Sequence, residues 1–131
     1  MPETDTTPTV DLATLGLAIM RAQVLEVNTA AGWRGPDAPA PTFLESMALL
    51  HTEVSEAVEA FRVHGLADAT ADTTHGRIGL PKPEGVGSEL ADVLIRLLDS
   101  ADLFGIDLAD EYARKLAYNR TRTHRHGGKR I

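Results

Sequence analysis

The sequence predicts an all-α protein folded as an antiparallel four-helix bundle. Three observations predict it: apolar residues recur at helical spacing in four segments, the stretches between them are rich in Gly and Pro, and strand signals are almost absent. The first helix runs from about Asp11 to about Asn28, on the spacing of Leu12, Leu15, Ile19, Ala22 and Leu25. Residues 30–42, AAGWRGPDAPAPT, form a loop, and Thr42 caps the second helix with Glu45 as its capping-box partner. That helix extends from about Phe43 to His64 and stops at Gly65. Residues 65–87 read as a long loop. The third helix begins near Ser88 and continues to Phe104, where Gly105 ends it. Asp107 caps a fourth that reaches about Asn119 or Arg122. One domain spans 10–122, between a disordered tail at 1–9 and a basic tail at 123–131.

Composition narrows the function classes. Hydrophobic residues make up 43% of the 131, enough for a core without disulfides or structural metals. The absence of cysteine removes zinc–thiolate sites and iron–sulfur clusters and suits a reducing compartment. No apolar run has the roughly 20 residues a membrane helix requires, and the polar, acidic start MPETDTTPTV does not read as a signal peptide. The expectation is a soluble cytoplasmic protein with no membrane partner. Net charge is −6, yet every acid lies at or before Glu111, and the seven basic residues from Arg114 onward meet no acid. That asymmetry points to an anionic partner near the C-terminus. The basic tail contains no aromatic for base stacking and the body is acidic, which argues against a nucleic-acid module.

Helical geometry sorts the carboxylates of "HTEVSEAVEAFR" (51–62). Thr52, Ser55, Glu59 and Arg62 form a solvated stripe, and Leu50, Val54, Ala57, Val58 and Phe61 form the apolar packing face. Glu53 and Glu56 fall on a seam beside Leu49 and Ala60, at the edge of the buried side. The third helix carries a second i, i+3 pair, Glu89 and Asp92, beside a packing face of Leu90, Val93, Leu94, Leu97 and Ala101. If these helices are neighbours the two pairs meet, and like charges in a partly dry site need protons or a cation. The all-oxygen donors favour Mg²⁺, with Mn²⁺ as the alternative. The plainer reading makes Glu89, Asp92, Arg96 and Asp99 one solvated stripe with an Asp92–Arg96 ion pair. On the fourth helix Lys115, Asn119 and Arg122 share one face, suited to a triphosphate or simply a solvated last turn.

The order Glu53-Val-Ser-Glu56, Glu89-Leu-Ala-Asp92, "KLAYN" (115–119) and "RHGGK" (125–129) resembles the MazG-like all-α nucleoside triphosphate pyrophosphohydrolases, from about Gly32 to Lys129. The segment between the acidic motifs is longer here than in that family, which leaves its part in a pocket open. The resemblance implies an oligomerising bundle, a homodimer or homotetramer. It implies Mg²⁺ held by Glu53, Glu56, Glu89 and Asp92, and conversion of a (d)NTP to (d)NMP plus pyrophosphate. Water attacks the α-phosphorus, Glu53 or Glu56 takes the proton, and Lys115 and Asn119 contact the substrate. Trp33, the single tryptophan, stacks on the nucleobase or caps the end of the bundle. The basic tail folds over the triphosphate. The competing reading is a non-catalytic helical interaction module whose acidic seam binds a basic partner. A di-metal oxidase bundle requires Glu-x-x-His motifs, and neither acidic pair supplies a histidine.

Overall fold

The computed structural model describes residues 11–67, 69–71 and 81–123. Four helices dominate it: α1 (Leu12–Ala30), α2 (Phe43–His64), α3 (Val86–Leu103) and α4 (Leu108–Arg120). Between α2 and α3 lies a short antiparallel ribbon of β1 (Ala69–Ala71) and β2 (Lys82–Glu84), with Thr70 opposite Pro83. The segment 65–87 is therefore not all loop. Three-residue strands are too short to show a period-two pattern, so the ribbon left no signal in the sequence. The tails at 1–9 and 124–131, including the stretch expected to cover a triphosphate, lie outside the described residues. No helix among the described residues is long and apolar enough to cross a membrane.

Local chemistry sets the helix ends. The Asp11 carboxylate accepts from the Ala13 N–H at 3.0 Å and the Thr14 hydroxyl at 2.8 Å. Thr42 and Glu45 form the reciprocal capping box, the Glu45 carboxylate accepting from the Thr42 N–H at 2.7 Å. A cap of this kind stabilises a helix by about 1 kcal/mol. Asp107 accepts from the Asp110 N–H at 3.0 Å and starts α4. At α3 the helix starts at Val86, two residues before the expected Ser88, whose hydroxyl instead donates back to the Pro83 carbonyl at 3.2 Å. Gly85 makes this entry possible, turning the chain at φ 92°, a value side-chain-bearing residues rarely adopt.

Packing centres on α3. α2 runs antiparallel to it: Phe43 meets Phe104 edge to face at 5.3 Å, and Arg96 pairs with Glu53 further along. α1 lies on another face of α3, joined by Arg21–Asp102 at 3.1 Å and Asn28–Asp99 at 2.8 Å, and α4 packs back against α1. α1 and α2 make little contact with each other. One consequence is a small core. Ala57, Leu98 and Ala101 are the buried apolar side chains among the described residues.

The α2 packing face is the expected one only in part: Ala57 is buried and Leu50 half-buried, but the rest is rotated. Ser46, Glu53 and Ala57 are the buried residues of α2, whereas Val58 is 53% exposed and Phe61 55%. The most buried positions of α2 are thus held by small or polar residues. The Val54–Val58–Phe61 stripe lies about a quarter-turn away. Antiparallel packing puts the half-exposed Leu90 and Leu94 of α3 on the same side of the pair as that stripe. Glu59 meets expectation, exposed and paired with Arg62 at 2.8 Å.

Candidate functional site

The seam between α2 and α3 gathers the carboxylates. Oxygens of Glu53, Glu56 and Glu89 lie within 4.8 Å of one another, with Glu53 buried, Glu89 half-buried and Glu56 exposed. The i, i+3 spacing puts Glu53 and Glu56 on adjoining turns of α2, and the antiparallel α3 presents Glu89 to them. Asp92 is not part of this group of three. It lines a cleft of about 570 Å³ together with Glu53, and its charge acts on Glu89.

The Glu89 carboxyl is pushed above the usual carboxylate range. Burial is the main cause, the neighbouring Glu56, Asp92 and Glu53 add to it, and Lys82 on β2 opposes it. A carboxyl with a raised folded-state pKa binds its proton more tightly in the fold than in the unfolded chain. Its stabilising contribution is full below the unfolded value and is lost as pH rises through the folded value. Glu89→Gln is thus expected to unfold at a higher temperature than wild type at neutral pH without divalent ions, and the gap is expected to close on acidification. Equal stabilities across that pH range would contradict the crowding.

Glu53 has a partner that helical spacing did not reveal. Arg96 on α3 donates through Nε to its carboxylate, so the expected Asp92–Arg96 pair is replaced by a pair between helices. Asp99 is half-buried and held by partners from another part of the chain. It accepts from the Arg34 Nε at 3.0 Å, the Arg34 Nη2 at 2.8 Å and the Asn28 amide at 2.8 Å. Arg34 also donates to the Asp99 backbone carbonyl at 2.6 Å. These bonds fasten the loop after α1 onto α3. They place the adjacent Trp33, 63% exposed, in the wall of the cleft that Glu53 and Asp92 also line. The buried hydroxyls of Ser46 and Ser100 line the same cleft.

Lys115, Asn119 and Arg122 are not brought to this cleft within one chain. They belong to α4 and the turn after it, where the Lys115 ammonium and the Arg122 guanidinium sit 5.7 and 5.8 Å from the centre of the Tyr118 ring. Arg34, Asn28, Arg96 and the two serines carried no signal as site residues. Their roles depend on partners far away in the chain.

No family model, curated protein or solved structure matches the chain.

Proposed function

We propose that the protein is a Mg²⁺-dependent nucleoside triphosphate pyrophosphohydrolase that converts a (d)NTP to the monophosphate and pyrophosphate. The observation that carries this reading is the clustering of Glu53, Glu56 and Glu89 beside a cleft walled by a tryptophan. The donor set fits a hard divalent cation such as Mg²⁺, which keeps waters and substrate phosphate in its shell: all donors are oxygens, one of them on a buried glutamate. Glu53, Glu56 and Glu89 would hold the ion in this reading, and Asp92, in the same cleft as Glu53, would add its negative charge. When bound, it neutralises charge on the phosphates during an in-line displacement.

The remaining chemistry belongs to the chain. Glu56, open to solvent, is better placed than the buried Glu53 to accept a proton from an attacking water. Trp33 offers a stacking face at the cleft, held in place by the neighbouring Arg34–Asp99 contact. The serine hydroxyls and Asn28 supply hydrogen-bonding groups for the sugar or base.

The reading includes assembly. Two copies joined through the apolar side of the α2–α3 pair would cover Val54, Val58, Phe61, Leu90 and Leu94 and complete a bundle that one chain leaves open. Assembly is also the route by which the α4 cations would reach a triphosphate.

The deciding experiment incubates purified protein with each dNTP and NTP plus Mg²⁺ and separates pyrophosphate from orthophosphate. Pyrophosphate with the matching monophosphate is expected for at least one nucleotide. No turnover with any of them, together with no thermal stabilisation by Mg²⁺ or Mn²⁺, would favour the acidic-seam interaction module.

A further inference from the structure

The acidic seam has its own cation. Arg96 is held against Glu53, whose side chain is only 8% exposed, while the Arg96 side chain is 41% exposed and lines the cleft. Glu53 is also one of the three clustered carboxylates. A divalent ion taken up there and the Arg96 guanidinium therefore draw on the same buried carboxylate. Arg34, next to Trp33 in the chain, is committed to Asp99 through both its Nε and its Nη2. Without a cation to spare, a cleft containing Glu53, Asp92 and Asp99 repels phosphate.

We infer that Arg96 is an exchangeable counter-ion: it neutralises Glu53 in the metal-free protein, is displaced when a divalent cation takes that carboxylate, and then serves as the phosphate-binding fork of the cleft. This inference rests on the pyrophosphohydrolase reading and assigns a role to a residue outside the carboxylate motifs. The exchange costs little charge separation. The buried glutamate always has a positive partner, and the released guanidinium is already partly solvated and has only to turn about its own side chain. It also couples the two ligands, because the group that binds the anion becomes available only once the metal is in place.

The test is one substitution read against two probes. Mn²⁺ is titrated calorimetrically into wild type, Arg96→Met and Arg96→Lys, with Glu89→Gln as the metal-site control. Inorganic pyrophosphate is then titrated into each Mn²⁺-loaded protein. Arg96→Met is expected to bind Mn²⁺ about tenfold more tightly, because competition for Glu53 is gone, and to bind pyrophosphate about tenfold more weakly, because the fork is gone. Arg96→Lys is expected to fall between in both, and it carries the test if the methionine variant fails to fold. A merely structural ion pair would weaken both affinities or neither. Unchanged or weaker Mn²⁺ binding in the Arg96 variants overturns the exchange while leaving the metal site standing. No Mn²⁺ binding in any variant, or full binding in Glu89→Gln, overturns the metal site itself and the exchange with it.

Discussion

Glu53→Gln and Asp92→Asn are each expected to abolish pyrophosphate release while leaving helix content unchanged. Both substitutions preserve shape and remove one negative charge. Glu53 is buried at the α2–α3 seam within 4.8 Å of the Glu56 and Glu89 oxygens, so its charge is poorly screened and acts strongly on a cation there. Loss of one anionic ligand from such a site forfeits several kcal/mol of transition-state stabilisation, about a thousandfold in rate. The fold is expected to tolerate the change at Glu53, because the amide that replaces its carboxylate would still offer an oxygen to Arg96, and the arginine side chain can be solvated. Circular dichroism and product analysis on the same samples separate the two effects. Near-normal turnover in both variants would remove these carboxylates from the chemistry.

If the proposed assembly forms, Val58→Glu is expected to dissociate it to a monomer of 14.1 kDa, observed by sedimentation equilibrium. Val58 lies in the middle of an apolar stripe with Val54 and Phe61 that no helix of the same chain covers among the described residues. Burying such a side chain contributes about 1.5–3 kcal/mol, and a two-fold interface contains it twice. The dissociation constant should therefore rise by roughly 10²–10⁴-fold, and more where the new carboxylate is left unpaired. Thermal stability should fall with it, because among the described residues the buried apolar side chains are Ala57, Leu98 and Ala101, a small core. A wild-type protein that sediments as a monomer at all concentrations would remove the interface.

Much of the helical layout was legible because its determinants are local. The Thr42–Glu45 box, the Asp107 cap and the stop at Gly65 each involve residues within a turn or so of one another. The acidic pairs were legible for the same reason: i, i+3 spacing on two helices is visible without knowing how the helices meet. The packing face of α2 was only partly legible. Hydrophobic periodicity ranks Leu50, Val54, Ala57, Val58 and Phe61 as the buried side; Ala57 is buried and Leu50 half-buried, but Ser46 and Glu53 are buried in place of Val54, Val58 and Phe61. Small residues let helix axes approach closely, but they carry little hydrophobic weight in a periodicity reading.

What the sequence determined by itself, then, is the set of four helices, the caps of α2 and α4, and the presence of two carboxylate pairs, all encoded by neighbours along the chain. Tertiary structure alone decided that Glu53 faces Arg96 from 43 positions away and that Asp99 is taken by Arg34 from 65. It also decided that Trp33 shares a cleft with Glu53 and Asp92, and that an apolar stripe of α2 is half exposed among the described residues. The physical reason is the same in each case: long-range partners depend on which helix faces meet. That choice is made by the fit of whole surfaces and not by any residue's own preference.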